Sequence, residues 1–416
     1  MKSDMKAMED REINIVRELA KKYREICNAP EQNGKRDMWR RHNSFRKTPV
    51  LIYIRAFAWN EMPESKCLCQ NEFLRGYENF FRQAVFRSSF KDDFIFEPWL
   101  NVGAAYKCSG WGVNAERHFV DEENETLTAF KVEYPLKELA DFEKMRAPWH
   151  EIDEVETAQR KRIMEDMVGD IITVNLDRSP AYRMWTADIS TDLGYLRGIE
   201  NIMLDMFDNP EWLHKLLAFM RDGTLRAQES AEKAGDWGLC AHQNQAMPYA
   251  EELQDPAANV NGVKRSQLWG YMAAQEYTLI SPEMHDEFLL QYQIPILEKF
   301  GLVAYGCCED LTRKIDMLRK IKNLRRIAVS PFANVAKCAE QIGSDYILSY
   351  RPSPSDMVSY GFDSERIKKT IVGDLGIFKR NGSCFDITLK DVETVQNDPD
   401  RIRRWVEVVR GVTETF

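Results

Sequence analysis

Short unbroken apolar runs alternate with segments of helical spacing along most of this chain. Val50-Leu51-Ile52-Tyr53-Ile54-Arg55 is too continuously apolar for a half-exposed strand and predicts a buried first one. Comparable runs follow at 94–97, 170–176, 237–243, 268–276, 301–309, 326–331, 346–352 and 384–389. Between them lie predicted helices. Residues 13–27 form an amphipathic helix with Val16, Leu19, Ala20, Tyr23 and Ile26 on one side. Residues 72–90 read as a long aromatic helix. Asn209-Pro210 starts another, with Leu213, Leu216, Leu217 and Met220 as its core face. Ser281-Pro282 opens a helix to residue 300 that Pro295 should kink. Further helices are expected at 365–378 and 398–412. Residues 117–165 read as a polar excursion, and residues 246–265 as an insertion.

Eight or nine strands alternating with helices, without a Gly-rich dinucleotide fingerprint after the first strand or a phosphate-binding Gly-Lys-Ser/Thr loop, favour one α/β (β/α)8 TIM barrel over a doubly wound sheet. The expected division is an N-terminal helical extension, 1–48, followed by a single barrel domain, 49–416. In a barrel the C-terminal ends of the strands open on one face. That would gather Arg55, Glu97, His242, Gln275-Glu276, Cys307-Cys308-Glu309, Arg351 and the groups near Cys384 around one mouth.

Composition narrows the function. A net charge of -9 argues against nucleic acid, whose phosphates call for a basic excess. No stretch suits a membrane span, and residues 1–12 are too charged for a secretory signal. Nine scattered cysteines fit a reducing cytoplasm, where the chain is expected to work.

The chemistry centres on Tyr305-Gly306-Cys307-Cys308-Glu309, where an apolar run ends in two thiols and a carboxylate. If the strand persisted, the two thiols would point in different directions. Arg55, at the end of the first run, suits either a substrate carboxylate or a structural ion pair. Trp99, Tyr106 and Trp111, in a stretch rich in Gly and small residues, suit stacking on a ligand or ordinary packing.

The order of elements resembles the uroporphyrinogen decarboxylase-like superfamily over nearly the whole chain beyond residue 48. The resemblance is carried by Gly198-Ile199-Glu200-Asn201, by Asp208-Asn209-Pro210-Glu211-Trp212-Leu213, by Ile280-Ser281-Pro282-Glu283-Met284 and by Lys390-Asp391-Val392-Glu393-Thr394-Val395. It implies a distorted (β/α)8 barrel. The decarboxylases of that superfamily carry an Arg-rich first-strand motif and an Asp after the second strand. Here Ile54-Arg55-Ala56-Phe57-Ala58-Trp59 and Glu97-Pro98-Trp99 depart from both.

The other branch comprises zinc-dependent methyltransferases that work with corrinoid proteins, with a His-x-Cys on one strand and a second Cys near the last strand. Tyr305-Gly306-Cys307 falls at the former and Cys384 at the latter, so the His is missing. The resemblance therefore implies zinc on Cys307, Cys308, Cys384 and Glu276, with Cys308 or His242 as alternatives to Glu276 in place of the absent imidazole.

Zinc would activate the oxygen of a methyl ether as a Lewis acid, and the methyl acceptor would be a corrinoid on a separate protein. Glu309 would protonate the leaving oxygen, unless it pairs with Arg351 or Lys314; Glu276 is the second candidate catalytic carboxylate. Trp99, Trp111 and Tyr271, with Arg55, Gln275 and Arg351, would line the substrate site. The implied substrate is a methylated small molecule, preferably a methoxylated aromatic, and the superfamily often dimerises. Two alternatives stay open: a metal-free decarboxylase-like lyase, and a barrel that only binds ligand.

Overall fold

The computed structural model describes residues 2–108, 110–119, 129–358 and 361–416. Among the described residues ten strands are formed: β1 (Ile52–Ile54), β2 (Trp99–Gly103), β3 (Glu116–Phe119), β4 (Phe130–Glu133), β5 (Thr173–Asp177), β6 (Trp269–Met272), β7 (Leu302–Tyr305), β8 (Leu324–Val329), β9 (Ile347–Tyr350) and β10 (Cys384–Leu389). Six of them make one curled parallel sheet in the order β1-β10-β9-β8-β7-β6, so the first strand lies beside the last. β2 and β5 form a separate parallel pair, and β3 and β4 an antiparallel hairpin. The fold is thus mixed α/β with a half-barrel of parallel strands.

The two faces of the sheet differ, as the period of two along a strand requires. Ile52, Ile54, Val303, Tyr305, Ile327, Val329, Leu348, Ile387 and Leu389 pack into the large core shared with the helices Gln291–Leu297, Ser364–Arg380 and Arg401–Thr415. The alternate residues carry polar groups: Arg326 on β8, Ser349 on β9, Asp386 and Thr388 on β10, all buried. Continuing that alternation, Arg351 and Lys390 extend the polar face just beyond the strand ends, and Arg55 follows Tyr53.

The first helices lie against the rest through an apolar face and a buried ion cluster. Val16, Ala20 and Tyr23 of helix Lys2–Cys27 pack with Leu74 and Phe81 of helix Glu72–Arg87 and with Leu100, Val102 and Val174 of the β2/β5 pair. Helix Glu31–Asn43 brings His42 under the sheet. There Asp386 Oδ2 accepts from Arg326 Nη2 at 2.6 Å and meets His42 Nε2 at 3.0 Å, while Arg326 Nη1 donates to Asn43 Oδ1 at 2.8 Å.

Two expected strands are absent as such. Residues 94–97 are not laddered to β1, because the Asp92 and Asp93 carboxylates take its free amides: Ile54 N donates to Asp92 Oδ2 at 2.8 Å and Ile52 N to Asp93 Oδ2 at 2.7 Å. Side chains thus satisfy the edge that a neighbouring strand would otherwise fill. Residues 237–243 contain a 3-10 turn, Leu239–Ala241. They reach β6 through Gln243 N on Trp269 O and Trp269 N on His242 Nδ1 rather than through a ladder. The helix expected to kink at Pro295 is helical through it, Gln291–Leu297, and is preceded by a π-helical segment, Asp286–Leu290. The region 117–165 includes the β3/β4 hairpin and helix Glu154–Val168. Among the described residues no helix is long and apolar enough to cross a membrane.

Candidate functional site

β7 ends at Tyr305, and the backbone then turns through Gly306 at φ +96°. A Cβ there would come within 2.7 Å of Leu311 Cδ1 and 3.1 Å of the Ala328 Cβ, so both the conformation and the space require glycine. This turn corrects the expectation that the two thiols diverge. Strand alternation has already stopped, and Cys307 and Cys308 bring their sulfurs to 3.5 Å on the same side.

Lys390, one residue past β10, donates to Cys307 Sγ at 2.8 Å and to Cys308 Sγ at 3.1 Å. Its ammonium also meets Asp391 Oδ2 at 3.0 Å, and the Cys308 thiol lies 3.3 Å from the same carboxylate oxygen. Arg351 donates to the carbonyls of Cys307 and Gly306. The Cys308 thiol as hydrogen-bond donor, then the charges of Arg351 and Lys390, hold the Cys307 thiol well below the usual cysteine range, while the same bond holds the Cys308 proton on. Burial works against a charged Lys390, yet contact with the sulfurs keeps its pKa raised. The centre is two cysteine sulfurs and an ammonium in mutual contact, with Cys307 and Lys390 buried and Cys308 half-buried.

Glu309 is 1% exposed. Its Oε1 accepts from Ala274 N at 2.9 Å and its Oε2 from Cys307 N at 2.7 Å. Burial raises its pKa, but both oxygens face backbone amides rather than a substrate. It fixes the thiol turn against the end of β6. It pairs with neither Arg351 nor Lys314; Lys314, lowered to about 8 by burial, donates to Tyr277 O.

Tyr271 on β6 stands beside the centre, its hydroxyl donating to Gly306 O at 3.3 Å and accepting from Gln245 Nε2, with the Trp185 ring edge-on at 4.9 Å. Gln245 is 3% exposed and its Oε1 has no partner among the described residues.

Other expected members lie elsewhere. Cys384 is the first residue of β10 and faces His42 Nδ1 at 3.8 Å. Six residues of strand, about 20 Å at about 3.3 Å per residue, separate it from Lys390. It therefore cannot share an ion with Cys307. Cys384→Ser is expected to leave the ultraviolet thiolate absorbance of the Cys307–Cys308 pair unchanged.

Glu276, in the 3-10 turn Gln275–Tyr277, accepts from Ser190 Oγ and neighbours Asp188 and Asp192. Gln275 is half-buried in the same turn. Trp111 is a packing residue, its indole donating to Asp192 Oδ2 at 2.6 Å and its ring meeting Tyr182 and Phe219. Trp99 opens β2, half-buried and stacked on none of the described rings. His242 has both nitrogens engaged, by Gln254 O and Trp269 N, and loss of solvent lowers it to about 4.

The donor set does not fit the zinc ion that the resemblance implies. Zinc calls for three or four Cys, His or carboxylate donors around one point. Here Cys384, Glu276 and His242 are engaged away from the thiols, and an ammonium occupies contact distance to both sulfurs. Among the described residues, the one group of three such side chains with all donor atoms within 4.8 Å is Glu116, His118 and Glu133. It lies on the β3/β4 hairpin, where Lys137 already pairs with Glu133.

Lys390 and Gln245 were not anticipated as site residues. Polar alternation through Asp386 and Thr388 to Lys390 was the available signal for the first. No family model and no curated protein matches the chain.

Proposed function

We propose that this chain is a small-molecule methyltransferase on a (β/α)8 scaffold of the uroporphyrinogen decarboxylase type, with β2, β5 and the 237–243 segment filling the wall that the six-stranded sheet leaves open. The observation that carries the reading is the cation-held thiolate–thiol pair at the end of β7, where the resemblance puts the reacting centre. The substrate is a methylated small molecule, preferably a methoxylated aromatic. The methyl acceptor is a corrinoid on a separate protein, which supplies a strongly nucleophilic reduced cobalt when docked.

The chain's own task is to make the ether oxygen a tolerable leaving group. Lys390, kept charged by the sulfurs, donates its proton to that oxygen as the carbon–oxygen bond breaks. The Cys307 thiolate and Asp391 hold the ammonium in place beforehand. Tyr271 and Gln245 form a polar wall beside it, and Glu309 and Arg351 fix the thiol turn. No zinc step belongs to this account, since the donors do not gather around one ion.

The test is methyl transfer from methoxylated aromatics to a reduced corrinoid, followed by loss of the cob(I)alamin absorbance under anaerobic conditions. Transfer is expected, and it is expected to persist after chelation. Absence of transfer across the panel would remove the reading, and loss on chelation would restore the metal.

A second reading, a metal-free lyase acting on a carboxylated substrate, is favoured by the cations Arg55, Arg351 and Lys390 at neighbouring strand ends. Carbon dioxide release without any corrinoid would select it.

A further inference from the structure

A cavity of about 330 Å³ opens where the chain leaves β1, lined by the rings of Tyr23, Phe57, Phe80, Phe94 and Phe96 and by Arg55. Two features of its cations are unusual. The half-buried Arg55 guanidinium has no hydrogen-bond or ion-pair partner among the described residues, although the chain carries 66 acidic side chains against 57 basic ones. Arg87, 6% exposed and also lining the cavity, is spent on Ile54 O and Asp92 and packs on the Phe94 ring at 3.9 Å, yet its buried Nε lacks a partner. Arg55 keeps part of its surface in water, so its fork of donors, unpaired among the described residues and set beside aromatic rings, is open to a partner brought in from outside.

We propose that this cavity binds a single-ring aromatic carboxylate, its two oxygens on the Arg55 fork and its ring among the phenylalanines. A guanidinium matches a carboxylate through two parallel hydrogen bonds, and aromatic walls accept a ring in edge-on or offset contact. The volume is at the small end for ligand sites and excludes a tetrapyrrole. Gln83, on the same wall and without a hydrogen-bond partner for its amide among the described residues, offers a donor and an acceptor to a ring substituent.

The backbone of the cavity's arginine is tied to the segment that carries Lys390. Arg55 N donates to Leu389 O at 2.8 Å, the residue before Lys390. The identification of the ligand as the methyl donor rests on the methyltransferase reading; the binding itself does not.

The experiment is calorimetric titration of the full chain with benzoate, 4-methoxybenzoate and the uncharged benzamide. Both carboxylates are expected to bind, with benzamide at least about tenfold weaker. Arg55→Gln removes no side-chain hydrogen bond or ion pair among the described residues, so the fold is expected to persist, and it should weaken both carboxylates about 10- to 100-fold, the usual cost of a charge-assisted pair. Cys384→Ser, at the opposite end of β10, should leave binding unchanged.

Equal affinity for benzamide, unaltered affinity in Arg55→Gln, or no carboxylate binding at all would overturn the proposal. If Arg55-dependent binding is found but no methyl leaves 4-methoxybenzoate, the cavity stands and the identification of its ligand as the methyl donor falls. If transfer proceeds with KM unchanged in Arg55→Gln, the cavity proposal falls alone.

Discussion

Asp386→Ala is expected to destabilise the chain by about 3–5 kcal/mol, among the largest losses a single substitution can give, read as a lowered urea midpoint. Asp386 is fully buried and is the shared acceptor for Arg326 and His42, with Thr388 and Ser349 on its other oxygen. Its removal leaves a guanidinium that is 2% exposed with no counter-charge. The cluster ties together helix Glu31–Asn43, β8 and β10, so the loss should reach the whole sheet.

The pH dependence has two arms. Burial opposes a charged His42, but the hydrogen bond to Asp386 raises it from 6.5 to about 9. A raised histidine contributes stability that is full below pH 6.5 and is lost as the pH climbs through about 9. Asp386, which burial would raise, is instead held at about 2 by Arg326 and His42, against 3.8 unfolded. Its contribution is present above pH 3.8 and is lost as the pH falls through about 2. A urea midpoint that does not fall between pH 6.5 and 9, or that falls equally in His42→Gln, would contradict the alkaline arm.

Much of this architecture is legible in the chain because buried parallel strands are written as unbroken apolar runs. Leu302-Val303-Ala304-Tyr305 is one, and all four residues are buried. The same rule misleads at 237–243, where Trp237, Leu239 and Ala241 are buried in a turn rather than a strand. A short apolar run reports burial, not backbone shape.

The thiol pair could be located but not oriented, since its geometry depends on one left-handed glycine, Gly306. The partners that define the site come from far away: Lys390 contacts cysteines more than eighty positions earlier, and His42 meets Asp386 across 344 positions. Local periodicity carries no record of such pairings. Cys384 misleads for a different reason: it is close to the last strand in sequence but stands at its start, the end opposite Lys390.

Lys390→Met is expected to raise the Cys307 titration and to reduce methyl transfer by about 10²- to 10⁴-fold, the range a positioned proton donor supplies. Without the ammonium, the Cys307 thiolate loses a contact at 2.8 Å while its burial stays the same. Its titration, followed by thiolate absorbance with Cys307→Ser as the blank, should move up toward the ordinary cysteine value of 9.0.

Lys390→Arg separates two roles that the methionine variant removes together. A guanidinium keeps the positive charge beside the sulfurs and does not readily give up a proton, so the thiolate should remain while transfer is still lost. Cys308→Ser takes away the thiol donor and should also raise the Cys307 titration, though less completely, because a hydroxyl can donate in its place. If Lys390→Met kept both the thiolate signal and the transfer rate, the ammonium would be a bystander, and the charge holding the sulfur would have to come from Arg351 alone.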